Sequence, residues 1–347
     1  MNKTKLSNKL EKKKRLFKNI ICKITKVNFV YTVLLLIIIF SIILSPKKYA
    51  EVTLTGIRVW ATAVLPALFP FMVFSKLLTS TGYVEKASMV FSNVTKKIYN
   101  CPGISSYVFL MSIIAGYPLG AKLISDLYLS KQISREEAHR ICSFTSNSGP
   151  MFIVGTVGIG MLFSTRAAIL IYVSHILGAL LNGFIYRKYV PKEIKDLPAF
   201  SKNETQQSES DVLSKSMMDG INSILLVGGF ITIFFVVIEV FSSLGIFKPL
   251  ASIFSSFGLD ENFSNGLIFG LFEITKGCML ISLSSVSLAI KTSVCCLIIS
   301  LGGLAISFQA LAFLNKFKIS KKFFFLQKTT QGIISFLICL ALSLIFI

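Results

Sequence analysis

Four ionisable residues sit in pairs inside otherwise apolar stretches of the chain. Lys122 and Asp126 are four positions apart and Glu273 and Lys276 three apart, spacings that put each pair on one helix face. Each lysine accompanies a helix-breaking run. The first is Gly116-Tyr117-Pro118-Leu119-Gly120, and the second carries Gly270, Glu273, Thr275 and Gly277. A lysine beside the free N–H groups of a broken helix makes a cradle for a carboxylate; the same pairs are equally able to neutralise themselves. Lys76 and Glu239 occupy matching places in two similar stretches, so an ion pair between them is expected, with a proton-coupling role for Glu239 as the alternative. Asn147 and Ser148, within Thr145-Ser146-Asn147-Ser148-Gly149-Pro150, and Gln309 offer amide and hydroxyl groups to a solute. Capping and interhelical hydrogen bonding compete for the same groups.

No catalytic constellation emerges. His139 falls in the polar loop from Lys131 to Arg140 and is expected to be solvated, while His175 lies in an apolar segment and is expected to pack there. Pairing Ser148 with His175 as a protease dyad lacks both a group to fix the base and an oxyanion site. The seven cysteines form no Cys-x-x-Cys pair, so neither a metal site nor a disulfide framework is signalled, and no cofactor is expected.

The elements that must position these residues are membrane helices. Of 347 residues 53% are hydrophobic and 15% charged, and the mean hydropathy is +0.73, which excludes an ordinary soluble domain. The net charge of +20 does not signal nucleic acid, because the basic residues punctuate apolar runs instead of lining one face. Apolar segments run over 29–44, 57–78, 104–129, 143–163, 167–186, 220–247, 263–290, 292–314 and 326–347, each long enough to cross a bilayer. If all crossed, the basic loops would be spread over both sides. Letting 104–129 and 263–290 enter and leave on one side gathers most Lys and Arg in the cytoplasm, as short loops require. The expected fold is therefore an all-α polytopic membrane protein with about seven full spans and two re-entrant helical hairpins.

The stretch from Gly56 repeats in outline from Gly220: a long apolar segment, an amphipathic stretch, a Gly-interrupted hairpin and a further apolar segment containing Ser146-Asn-Ser-Gly-Pro150 in one half and Ala305-Ile-Ser-Phe-Gln309 in the other. On the re-entrant topology the two halves face opposite ways, and inverted repeats with paired broken helices are the pattern of a secondary transporter with a midplane site. The expected organisation is a basic cytoplasmic tail (1–28), a first span and external loop (29–55), a first repeat (56–186), a cytoplasmic linker (187–219), a second repeat (220–314), and a basic loop with the last span (315–347).

Gly56-Ile-Arg-Val-Trp60, Leu65-Pro-Ala-Leu-Phe-Pro-Phe71, Gly116-Tyr-Pro-Leu-Gly-Ala-Lys122 and Ser143-Phe-Thr-Ser-Asn-Ser-Gly-Pro-Met-Phe-Ile-Val-Gly155 resemble the YlbJ-type sporulation membrane proteins of the nucleoside-recognition, or Gate, group. The resemblance implies a fold like that of concentrative nucleoside transporters. It also implies a role in moving dipicolinic acid or a similar small anionic metabolite across the outer forespore membrane, with the N-terminus cytoplasmic. Nucleoside transport and a non-transporting scaffold for spore assembly are the alternatives. The expected partners are a small anionic solute, the lipid bilayer, and either a second copy of the chain or other sporulation membrane proteins. No Gly-x-x-x-x-Gly-Lys-Ser/Thr motif is present to supply an ATPase.

Overall fold

The computed structural model describes residues 29, 31–81, 86, 90–189 and 209–347. The expected basic tail, and residues 190–208 of the expected linker, lie outside the described residues. Every regular element among the described residues is helical. The chain divides into two units, Met1–Val52 and Thr53–Ile347. In the first, helix α1 (Tyr31–Leu44) is followed by a break at Ser45 and the start of α2 (Pro46–Val59). Leu36, Phe40 and Ile43 on α1 are exposed, a surface suited to hydrocarbon and not to water.

In the second unit a π-helical stretch, Trp60–Val64, leads into α3 (Leu65–Ser80). The chain continues through α4 (Ser92–Tyr99), α5 (Ile104–Ala115), α6 (Leu119–Leu129), α7 (Arg135–Thr145), the π-helical α8 (Met151–Ile159) and α9 (Thr165–Tyr186). Then follow α10 (Glu209–Ser243), α11 (Lys248–Ser256), α12 (Glu261–Gly270), α13 (Ile274–Leu283), α14 (Leu288–Leu301), α15 (Gly303–Leu314) and α16 (Lys321–Phe346). The order of elements from α3 to α9 recurs from α10 to α16, and packing follows the same exchange. Helix α3 touches α8 as α10 touches α15, α6 touches α15 as α13 touches α8, and α7 touches α9 as α14 touches α16.

Corresponding helices run antiparallel where they meet. A Cβ on Gly220 of α10 would lie 2.8 Å from Val73 of α3, whereas further along α10 one on Gly228 would lie 2.6 Å from the earlier Trp60. Helices α9 and α16 cross in the same sense. Asn182 Nδ2 donates to the carbonyl of Gln327 at 3.1 Å, while the earlier Gly178 abuts the later Ser335.

Both segments expected to turn back are broken. Helices α5 and α6 have 12 and 11 residues, and α12 and α13 have 10 each. At 1.5 Å per residue each arm reaches roughly 15–18 Å, about half the hydrocarbon thickness. In the second hairpin Gly277 packs on Gly270 and Gly266 on Ile281, so its arms lie antiparallel. Asp260 clasps its base: Oδ1 accepts from the N–H of Phe263 at 2.9 Å, and Oδ2 from the N–H of Ser285 at 2.8 Å and its hydroxyl at 2.7 Å. Burial alone would raise the Asp260 pKa, but these hydrogen bonds outweigh it and hold the carboxyl below its ordinary value.

Among the described residues four helices are long and apolar enough to cross a membrane: Thr165–Tyr186, Val212–Ser243, Leu288–Leu314 and Lys321–Phe346; up to six spans result if each bent helix pair counts as one. The interruptions are what separate this from the expected seven. Helix α14 ends at Gly302 (φ 81°) and α15 begins at Gly303 (φ 57°), left-handed positions open to glycine at little cost. The chain between α7 and α8 is unwound from Ser146 to Gly149.

Candidate functional site

One cavity is bordered by both hairpin tips, the break between α7 and α8, and α15. Its walls are Tyr117 from the first hairpin tip, Ser148, Gly149 and Phe152 from the break between α7 and α8, Glu273 to Thr275 from the second tip, and Ala305, Ile306 and Gln309 from α15. Val64 and Leu68 close it near α3, and Val227 and Ile231 on α10. Its volume is about 50 Å³, space for a water or two. Gln309 and Ser148 are each 2% exposed, and both border the cavity, where their polar groups can meet a hydrogen-bonding occupant.

Glu273 is the ionisable side chain of the cavity that caps a helix. Its two carboxylate oxygens accept from the N–H groups of Thr275 at 3.0 Å and Lys276 at 2.8 Å. The amino terminus of α13 is therefore filled by the protein's own carboxylate, in the place an anionic ligand would take. Glu273 and Lys276 do not pair through their side chains as the spacing suggested. Lys276 Nζ instead lies 3.9 Å from Glu239 on α10 and over the rings of Phe235 and Phe269, at 5.4 and 5.1 Å.

Lys122 likewise turns away from the cavity. With Pro118, Lys76 and Gly220 it lines a separate cleft around Asp219. Lys76 bonds the Asp219 carboxylate directly and Lys122 lies 3.6 Å from it. The expected Lys76–Glu239 pair is thus corrected to two pairs, Lys76 with Asp219 and Lys276 with Glu239. Helix α10 begins well before Gly220, and this extra length carries Asp219 to the end of antiparallel α3, where Lys76 sits.

The unwound stretch from Ser146 to Gly149 is held by hydrogen bonds from α9 and α16. Asn147 Nδ2 donates to Ser112 Oγ at 3.0 Å and to the carbonyl of Phe144 at 2.7 Å, and its Oδ1 accepts from Gln331 Nε2 at 3.0 Å. Asn147 is therefore spent on structure and lies outside the cavity wall. His175 Nε2 accepts from the backbone N–H of Ser148 at 3.0 Å, and its Nδ1 lies 2.7 Å from Ser300 Oγ. It supports the backbone and makes no dyad with the serine hydroxyl. Gly116 and Gly120 are packing positions: a Cβ on Gly116 would lie 2.5 Å from Gly149 N, and Gly120 abuts the carbonyl of Thr145.

Two residues escaped the sequence reading. Lys328 on α16 is 3% exposed and donates to Ser146 O at 2.8 Å, Gln331 Oε1 at 2.9 Å and Tyr117 Oη at 3.0 Å. Its signal was there: a lone lysine within the apolar run 323–347. His139, expected in solvent, is fully buried. Its Nε2 accepts from Ser320 N at 3.1 Å and its Nδ1 lies 2.7 Å from Arg135 O.

Of the residues expected to bind a solute, Tyr117, Ser148, Glu273, Thr275 and Gln309 meet at the cavity, and Gly116, Pro118, Gly120, Lys122, Asn147 and Lys276 surround or lie apart from it. Helical hairpins and interrupted apolar helices packed about a shared cavity define a polytopic integral membrane protein, and the Gate family, described as nucleoside recognition, matches residues 61–174. Over 316 residues the chain is 32% identical to the sporulation integral membrane protein YlbJ of Bacillus subtilis (strain 168), covering 84% of this chain and 77% of that relative. The chain belongs to this family of sporulation integral membrane proteins. No solved structure matches it.

Proposed function

We propose that the protein is a secondary transporter or facilitator of sporulating cells, moving dipicolinic acid or a similar small anionic metabolite across the outer forespore membrane. The observation that carries this reading is the cavity shared by both hairpin tips and both helix breaks, with the polar side chains of Gln309 and Ser148 in its wall. The antiparallel packing of α3 on α10 and of α9 on α16 supports inverted repeats, in which rocking of one set of elements against the other exposes a central site to each side in turn. A cavity of about 50 Å³ is a closed state, so solute entry requires a hairpin tip to move.

The charge of the substrate follows from different residues than the spacing suggested. Lys122 and Lys276 face away from the cavity, and the cation next to it is Lys328, behind Tyr117. The neutral lining of Ser148, Thr275 and Gln309 favours nucleoside transport as the second reading. Flux of labelled dipicolinate and uridine into proteoliposomes holding the full chain separates them. Dipicolinate flux that uridine does not inhibit is expected; uridine flux alone moves the assignment to nucleosides, and no flux of either supports a scaffold.

A further inference from the structure

Lys328 is placed unlike any other basic residue among the described residues. Its ammonium has three N–H donors, and three oxygens take them: Ser146 O in the break between α7 and α8, Gln331 Oε1 one turn along α16, and Tyr117 Oη at the first hairpin tip. Its Cε also lies 3.6 Å from where a Cβ on Gly302 would be, at the break between α14 and α15. One side chain thus reaches the hairpin tip and both helix breaks. None of the three acceptors is a carboxylate, so the charge is held by these hydrogen bonds and by the face of the Tyr117 ring, 5.2 Å away, in a setting where an uncompensated charge is costly.

We propose that Lys328 is the positioning residue that ties the first hairpin tip to both interrupted helices, and that release of its proton unties the tip. The chemistry follows from counting donors. With the ammonium intact, Lys328 donates to Tyr117 Oη and the tyrosine O–H is free to donate to Ile299 O on α14, 3.3 Å away. A neutral amine keeps two N–H groups and gains a lone pair. Ser146 O and Gln331 Oε1 can only accept, so they retain the two donors. The tyrosine O–H then turns to the amine nitrogen and gives up Ile299. The proton passes to water in the adjacent cavity, and the tip loses its tie to α14.

Other titratable groups around α16 have different placements. His175 of α9 reaches the same break through Ser148 N, and His139 of α7 meets α16 at Ser320. Cys296 of α14 faces Ser335, about two turns beyond Lys328, and Cys339 lies further along α16 itself beside Ser343. Glu273 stands across the cavity from Tyr117.

The proposal deepens the transporter reading at its own site, yet its test needs no flux. Hydrogen exchange of segments 114–120 and 144–150 is followed in the full-length protein in nanodiscs from about pH 5 to 10, corrected for intrinsic rates. Exchange in the parent is expected to rise by up to about tenfold on the alkaline side, the scale of one lost hydrogen bond between neutral groups, while the 266–281 hairpin stays unchanged. Lys328→Met abolishes the step, and Lys328→Arg, always charged, removes it while keeping exchange slow. Tyr117→Phe also abolishes the step and decides the matter alone if Lys328→Met does not fold. A parent without the step, or a Lys328→Met protein that keeps it, overturns the proposal; in the second case His175→Gln identifies the histidine as the titrating group. A step without dipicolinate or uridine flux retires the transporter reading and leaves the Lys328 tie standing.

Discussion

Glu239 Oε2 and Lys276 Nζ stand 3.9 Å apart, joining α10 to the second arm of the second hairpin, while Lys76 on α3 bonds Asp219 at the other end of α10. One charge pair therefore holds the second hairpin to α10, and the other holds α3 to α10. Reversing either charge alone, Glu239→Lys or Lys276→Glu, leaves like charges facing each other and should cost about 1–2 kcal/mol, since these side chains are only partly buried. The double reversal should recover most of that loss in thermal unfolding in detergent. Exchanging Lys76 with Glu239 should give no recovery; a recovery would mean that those two residues meet after all.

The second hairpin depends on the close approach of Gly277 to Gly270, where any Cβ on residue 277 would run into backbone. Gly277→Ala should destabilise by roughly 1–3 kcal/mol through overpacking, more than the helix propensity it gains. Gly229 on α10 has open space around its Cβ position, so Gly229→Ala should leave the unfolding temperature unchanged or raise it. A Gly277→Ala protein as stable as the parent would mean that the two arms are further apart.

The breaks in the two hairpins were legible because glycine and proline announce the first locally, in Gly116-Tyr-Pro-Leu-Gly120, and glycines flank the second at Gly270 and Gly277. The break from Ser146 to Gly149 was read only as a polar stretch within an apolar segment. The partners of the charged groups were not legible. Spacing along a helix places Lys122 beside Asp126, but the antiparallel packing of α3 on α10 brings Asp219 to it, and no local pattern encodes that meeting. His139 misled for the same reason. Its neighbours Arg135, Glu136 and Glu137 are polar, whereas the helix turns its ring inward beneath Phe323, 6.4 Å away, and the N–H of Ser320.

That inward turn makes His139 sensitive to acid. Burial holds its pKa below the ordinary value of 6.5, so the unfolded chain takes up a proton more readily than the folded one. Stability should be full above about pH 6.5 and decline as pH falls through that value toward the folded pKa, below which this contribution is flat. The cause is direct: a protonated Nε2 cannot accept from Ser320 N at the start of α16. Melting curves between pH 5 and 8 should show the parent losing stability relative to His139→Gln as pH falls. Parallel curves would show that the ring is as accessible to protons when folded as when unfolded.

Gln309 and Glu273 share one cavity wall but should fail differently. Glu273 caps α13 through two backbone N–H groups, so Glu273→Ala strands those donors and should cost about 1 kcal/mol of stability, as loss of a cap does, besides altering transport. Gln309 borders the cavity and caps no helix, so Gln309→Ala should leave the unfolding temperature near that of the parent. If a solute takes up the Gln309 amide, the same substitution should weaken its apparent affinity by about tenfold, the scale of one hydrogen bond left unmade. Concentration-dependent uptake and thermal unfolding, measured together, give both readouts. A Gln309→Ala protein with unchanged affinity would place the solute elsewhere, and one with unchanged affinity but lowered stability would make Gln309 a packing residue of α15.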